Sequence, residues 1–336
     1  MKSSFSKASP SPFFAVAASI VSLLLASQSA SAHEYSEQLR AKKYADVERA
    51  VSAKLASDPN NADALVAKTE LILNESRESR LEEATKLAEQ CIAAHPQNSE
   101  CHEALGNTLG TKAVSAGIMS AIGYAGKIRD AFQKAVELDP KNYDARFSLL
   151  QYYLQAPGFV GGGTGKAQTL AADTAKISPA AGKLLQAQID VSDSKTAKAE
   201  ADVIAVNTAG SPTLADMQRG LLSGIGISYV QQKKYADAER VFRDVQQRYP
   251  DQETGFYGLG RTLQEQGKQR DAIPLFEKAI AIEARSNFYY RLGQCYQVAN
   301  DKAKAVGAYE KALSGRPELP KKLKSDAADQ LKALKA

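Results

Sequence analysis

Apolar and polar positions near the C-terminal end of the chain recur in one fixed order. Leu222, Ile225, Gly226 and Tyr229 are followed by Ala238, Phe242 and Pro250. Phe256, Leu259, Gly260 and Leu263 are followed by Ala272, Phe276 and Ala284. Tyr289, Leu292, Gly293 and Tyr296 are followed by Ala305, Tyr309 and Pro317. The glycines at 226, 260 and 293 set a period of 34 and then 33 residues, the range of stacked helical hairpins. Steps of three and four residues place the large apolar side chains on one face of a first helix. Glycine at position 8 of each copy lets a second helix approach closely, and alanine, an aromatic and a small residue form the face that meets it. Proline near position 32 ends that second helix, because it lacks an N–H and disfavours helix in the residue before it. One hairpin cannot bury such a face alone, so neighbours must stack. An ordinary helix bundle would not need these residue types at the same offsets three times. The pattern predicts a surface that holds other molecules, with no pocket that does chemistry on them.

Worn copies precede the clean ones. Helix-ending prolines recur at Pro59, Pro96, Pro140 and Pro179, and residues 42–48 (KKYADVE) nearly repeat residues 233–239 (KKYADAE). A first copy has a short first helix, and a second ends at Pro96. A third carries Leu105, Gly106, Phe132, Ala135 and Pro140, and a fourth carries Leu149, Tyr153, Ala167 and Pro179. A fifth, roughly 182–212, cannot be phased. In the three clean copies the pattern resembles the tetratricopeptide repeat, and more loosely it extends over most of the chain after residue 33. The resemblance implies an all-α, right-handed solenoid of about eight helix-turn-helix repeats. It divides into worn repeats over 33–212, well-formed ones over 213–317 and a capping helix over 318–336.

Residues 1–32 stand apart. Lys2 and Lys7 precede a short apolar core, and Ala30–Ser31–Ala32 follows it. This is the pattern of a secretory signal peptide cut before His33. A retained anchor is the alternative, but the core is about half the length of a spanning helix. The expected location is the periplasm or the exterior. Without Lys2 and Lys7, the 43 basic and 38 acidic residues leave a net charge of +3, too small for a nucleic-acid binder with its basic stripe.

Among three cysteines at most two can pair internally. Cys91 falls late in one second helix, and Cys101 starts the next first helix across the Pro96 turn. They either form a disulfide or are two buried small residues. Cys295 is expected as a lone buried thiol. Residues 161–167 (GGGTGKA) imitate a phosphate loop, but the spacing is one residue short and Ala167 stands where a hydroxyl is needed. They predict an expanded turn over 157–165. The third copy carries about ten extra residues around 113–126, with Val114, Ile118 and Ile122 at helical spacing. Both insertions fall on one edge of the stack, where they either pack on each other or form a second contact surface. His33 could chelate copper through its amine and ring, but nothing in the sequence places a second ligand. A metal set of Cys101, His102 and His95 is conceivable, and no catalytic triad is suggested. No cofactor is expected, and the reading is not that of an enzyme.

The outward positions of the first helices are 2, 5, 9, 12 and 13. They nominate Phe147 and Gln151 in the fourth copy, Tyr257, Arg261 and Gln264 in the seventh, and Tyr290, Gln294 and Gln297 in the eighth. Glutamine amides can pair with an extended peptide, and tyrosine supplies contact area at low entropic cost. Repeats of this family that bind chaperone C-termini hold the terminal carboxylate with Lys at position 5 and Asn at position 9. Here those positions carry tyrosine and Arg or Gln, so that ligand is not expected. The function expected is an envelope scaffold with an unidentified protein or peptide partner. The alternatives are an enzyme or cofactor carrier centred on the glycine loop or the histidines, and a module of a larger envelope complex.

Overall fold

A computed structural model describes residues 33–75 and 78–336. The expected leader, 1–32, lies outside the described residues. The described residues form seventeen α-helices and no strands. They pair as eight hairpins and a final helix: α1 (Ser36–Arg40) with α2 (Tyr44–Ser57), α3 (Ala62–Glu75) with α4 (Leu81–Ala94), α5 (Ser99–Ala116) with α6 (Ile118–Leu138), and α7 (Tyr143–Gln155) with α8 (Thr164–Ile177). Then follow α9 (Pro179–Ser192) with α10 (Thr196–Ile204), α11 (Pro212–Gln231) with α12 (Tyr235–Arg248), α13 (Thr254–Glu265) with α14 (Gln269–Ile282), and α15 (Ser286–Val298) with α16 (Lys302–Ser314). The last helix, α17 (Lys321–Lys335), stands alone. Each helix packs against the next along the chain, as an all-α solenoid requires.

The repeat phase read from the sequence is the packing phase. A Cβ on Gly106, Gly226, Gly260 or Gly293 would lie 2.5, 2.6, 3.0 or 3.1 Å from the ring of Phe132, Phe242, Phe276 or Tyr309. In each of these four repeats, therefore, the second helix lays its aromatic side chain directly on the glycine of the first. Phe242, Phe276 and Tyr309 are fully buried there. The helices that precede Pro59, Pro96, Pro140, Pro179 and Pro250 end two residues before the proline.

The turn between the two helices carries a second signature. Lys42, Ser194, Lys233, Gly267 and Asn300 all have φ between 59° and 79°. In each case the residue after it donates its N–H to a carbonyl five residues back, such as Lys234 N–H to the Tyr229 carbonyl at 2.8 Å. This left-handed closure is a common way to end a helix. It aligns the fifth repeat, whose phase the sequence did not give: Ser194 occupies the place of Lys233. In the second, third and fourth repeats the turn is lengthened. The 113–126 insertion extends α5 and α6 around Gly117, and the 157–165 insertion is a short 3-10 turn, Gly158–Val160, that packs on α6. The second insertion packs on α6 just past the first: a Cβ on Gly161 would sit 2.7 Å from Arg129 of that helix. Phe159, Ile122 and Val114 stay exposed along this edge.

The ends of the solenoid meet. Arg40 pairs with Asp216 at 3.0 Å, and Lys42 pairs with Glu253 and, at 3.1 Å, with Glu283. The Tyr44 hydroxyl donates to Glu283 at 3.2 Å. Arg316 pairs with Glu75, whose carbonyl accepts from the Glu318 N–H at 3.0 Å. Lys321 reaches Glu78 at 3.2 Å. The first two repeats thus lie against the sixth to eighth, and a cavity of about 520 Å³ runs along the seam between Lys42, Leu71, Glu283 and Pro317.

Candidate interaction surface

Closure turns the inner face into a walled interior. Its first-helix charges come from repeats that are distant in sequence. Asp144 of α7 feels Glu103 of α5, Asp216 of α11, Glu70 of α3 and Arg40 of α1. Burial, followed by these carboxylates, raises its pKa well above the ordinary range. Glu103 is 3% exposed and accepts from Asn142 at 2.8 Å. Burial pushes its pKa up to about 7, assisted by Glu70 and Glu100 and opposed by the Asn142 bond. His33 is buried against Glu70 at 3.4 Å. Burial lowers the pKa of its ring, but the Glu70 hydrogen bond and nearby carboxylates outweigh this and raise it. One half of the interior is therefore acidic.

The other half is basic. On α13 and α15, Arg261 and Arg291 stand beside the phenol of Tyr257. Tyr257 stacks on Phe288 with ring centres 4.3 Å apart and accepts from the Asn287 amide at 3.4 Å. Burial raises its pKa, but Arg291 and Arg261 outweigh that and pull it below the ordinary phenol value. Arg291 donates to Gln264 at 2.7 Å and pairs with Glu265 at 3.3 Å. Gln264 donates to Gln294 at 3.2 Å, and Gln294 to the Tyr290 hydroxyl at 3.0 Å. Gln264, Gln294 and Tyr290 are therefore joined in one polar row.

Three nominated residues depart from the expected open face. Tyr290 is 8% exposed and donates to Asp326 of α17 at 2.6 Å, with its ring packed beside Tyr309. Gln297 donates to Gln330 of the same helix at 2.8 Å. The final helix occupies the place of a ninth first helix and covers both. Gln151 is 5% exposed, because α7, α9 and α11 pack on one another where the fifth repeat is short. Phe147 is half-buried against the main core, and Tyr257, Arg261, Gln264 and Gln294 are half-buried on the interior wall. The numbering that selected them also puts Glu103 at position 5 and Asp144 at position 2. The same rule therefore makes those two inner-face acids legible in the sequence.

The remaining candidates have structural roles. Cys91 and Cys101 form a disulfide with Cα atoms 5.4 Å apart, inside a small buried cluster with Leu65 and Val66. That removes Cys101 from any metal set. His95 and His102 face the carbonyls of Asn60 and Pro96, at 2.6 and 3.0 Å. The described residues hold no group of three or more His, Cys, Asp or Glu able to bind a metal. The glycine loop is folded on itself: a Cβ on Gly162 would fall 1.7 Å from the Ala156 carbonyl oxygen, and Lys166 donates to the Gly161 carbonyl at 2.9 Å. Cys295 is free and buried, which pushes its thiol up to about 12. No helix among the described residues is long and apolar enough to cross a membrane.

The tetratricopeptide repeat family model matches residues 223–286 and 257–320. No curated protein matches the chain. Among solved structures, the chain is similar to a tetratricopeptide repeat protein from Parabacteroides merdae, with 16% identity over 95% of this chain and 100% of that one, at a TM-score of 0.43. It is also similar to the human IFIT1 dimer with PPP-AAAA (16% identity, 82% of this chain and 63% of that one, TM-score 0.47). A third similarity is to the APC/C hetero-tetramer Cut9-Hcn1 (14% identity, 87% of this chain, TM-score 0.43), of which the chain spans 52%.

Proposed function

We propose that this tetratricopeptide-repeat protein is an exported scaffold that holds a segment of a partner protein against its interior wall. The observation that carries the reading is the closed stack itself. Seam contacts from Arg40–Asp216 to Lys321–Glu78 enclose a surface of first helices, lined by acids on one side and by arginine, tyrosine and glutamine on the other. Such a surface offers hydrogen bonds and charge to an extended chain and no assembled nucleophile and base. Export is supported by the leader pattern ending at Ala32 and by the Cys91–Cys101 disulfide, a pairing suited to an oxidising compartment. On this reading the mature chain begins at His33 and works in the periplasm or outside the cell. A photo-crosslinking amino acid at Gln294, inside, and at Arg243, on the outer helix α12, tests it. Adducts to a protein in envelope fractions are expected from position 294 and not from 243. Adducts from neither position, or from 243 alone, would overturn it.

A second reading places the contact on the insertion edge, as a module of a larger envelope complex. It is favoured by one observation: Phe159 is 79% exposed, with Ile122 and Val114 exposed on the same edge. Phe159→Ser should then abolish capture while leaving crosslinks from 294 absent.

A further inference from the structure

The edge that carries the two insertions combines exposed apolar side chains with an excess of positive charge. Phe159 is 79% exposed on the 3-10 turn Gly158–Val160, and Val114 and Ile122 are exposed on α5 and α6 near the Gly117 bend. Ile122 precedes Arg129 by about two helical turns on the same face of α6, and the Phe159 turn rests on Arg129 through Gly161. The turn is braced. The Tyr152 hydroxyl donates to the Val160 carbonyl at 2.5 Å, and the Gly163 N–H donates to the Tyr153 carbonyl at 2.8 Å. The ring is therefore held out into solvent by a fixed backbone.

Charge follows the same outline. Residues 104–129 and 145–172, which contain both insertions, include no Asp or Glu, whereas the whole chain has 38 in 336 residues. Their basic residues are Lys112, Lys127, Arg129, Arg146 and Lys166. Arg146 is buried away from the edge, on Thr174. Lys112 pairs with Glu82 and Arg129 with Asp130, each at 2.7 Å. Lys127 and Lys166 are exposed and have no carboxylate partner among the described residues. Lys166 stays beside the turn, donating to the Gly161 carbonyl at 2.9 Å. An exposed ring with unpaired cations around it matches a surface that is apolar underneath and negative on top. Aromatic rings settle at the headgroup level of a bilayer. Lysine stems lie along apolar surface while their ammonium groups stay with the headgroups, and nearby anionic lipid favours them. Three partly exposed apolar side chains hold a membrane weakly by themselves, so the charge is needed as well.

We propose that this edge is a peripheral contact for an anionic lipid surface, with Phe159 inserted at the headgroup boundary and Lys127 and Lys166 on the lipid phosphates. The contact is independent of what the interior holds. No helix among the described residues is long and apolar enough to cross a membrane, so the attachment is through this edge alone and is reversible.

The chain has no tryptophan, so Phe159→Trp in residues 33–336, which hold the whole described fold, places a single indole on the turn. Vesicles of equal parts phosphatidylglycerol and phosphatidylcholine should shift its emission to the blue and carry the protein down on centrifugation. Vesicles of phosphatidylcholine alone should do neither. Phe159→Ser should weaken sedimentation with the anionic vesicles by about tenfold or more, the loss of one inserted ring. Lys127→Gln and Lys166→Gln should each weaken it by about fivefold, and raised salt should weaken it further. All three side chains are exposed, so far-ultraviolet circular dichroism of the variants should be unchanged. An unshifted indole, sedimentation that Phe159→Ser leaves intact, or equal binding to the neutral vesicles would overturn the lipid contact. Capture of an envelope protein through Phe159 without vesicle binding would also overturn it, and would give the edge to a protein partner instead. Crosslinks from position 294 report on the interior separately, so the scaffold reading stands or falls without this contact.

Discussion

Gly226→Ala tests the packing logic most sharply. The added Cβ would lie 2.6 Å from Cζ of Phe242, against an ordinary carbon–carbon contact of about 3.5 Å or more. The ring must therefore move by nearly an ångström. It cannot move freely, because a Cβ on Gly258 of the next repeat would lie 2.1 Å from the same ring on another side. Phe242 is thus held between two glycines from adjacent first helices, with no exposed surface. Overpacking of this kind costs about 1–3 kcal/mol. Replacing a mid-helix glycine by alanine returns about 1 kcal/mol of helix propensity. With the ring pinned on two sides the overpacking cost falls in the upper part of its range, about 2–3 kcal/mol, so the net expectation is a destabilisation of about 1–2 kcal/mol, read as a lower midpoint in urea unfolding followed by far-ultraviolet circular dichroism. Gly293→Ala is the control. Its Cβ would lie 3.1 Å from Tyr309, so a shift of a few tenths of an ångström suffices and the net effect should be near zero. Phe242→Leu should partly rescue Gly226→Ala, because the smaller side chain vacates the clash; coupling of about 0.5 kcal/mol or more is expected for residues in direct contact. A neutral Gly226→Ala, or strictly additive effects in the double variant, would refute the reasoning.

Removing the Cys91–Cys101 disulfide opens a loop with a sequence separation of 10, so Cys101→Ser should cost about 3 kcal/mol on the chain-entropy account; non-reducing peptide mass spectrometry of the purified protein should first show the cross-linked pair. The folded pKa of Glu103 is raised to about 7, so its contribution is full below its unfolded value of about 4.5 and is lost as pH rises through 7. Glu103→Gln should therefore stabilise the protein at pH 8 by on the order of 1–2 kcal/mol and leave it unchanged near pH 4, as thermal melts at both pH values will show. Lys42→Glu sets three carboxylates against one another at the seam with Glu253 and Glu283. It should open the stack, raising the radius of gyration in small-angle X-ray scattering, and Glu253→Lys added to it should bring the radius back; an unchanged radius in the single variant would show that the ends are held by something else.

The parts of this architecture visible in the sequence are those set by contacts within one repeat. Gly260 and Phe276, or Gly293 and Tyr309, are sixteen residues apart and meet because a hairpin of fixed length brings them together. The kinship of 42–48 with 233–239 was equally local, and both segments end a left-handed turn and begin a second helix at Tyr44 and Tyr235. The fifth repeat was illegible because its marker is a backbone angle at Ser194, and serine is no signal for a positive φ. The contacts that were missed join distant repeats. Nothing near Arg40 announces Asp216, and nothing near Tyr290 announces Asp326. Outward positions could be numbered, but what lies opposite each one depends on how far the whole stack curves.

That curvature decides what the candidate surface can hold. An open groove exposes its first helices to any partner, whereas a closed one selects by what can enter and by the charge it meets. Around Arg40 and Lys42 the seam's ion pairs are half-buried, and salt screens them less than exposed ones; they bring Lys42 beside Glu253, the residue that caps the helix carrying Tyr257. Contacts that close the stack therefore adjoin contacts proposed to hold the partner. If a partner segment seats on the interior wall, its binding and the opening of the stack bias each other to the extent that the segment contacts the two states differently.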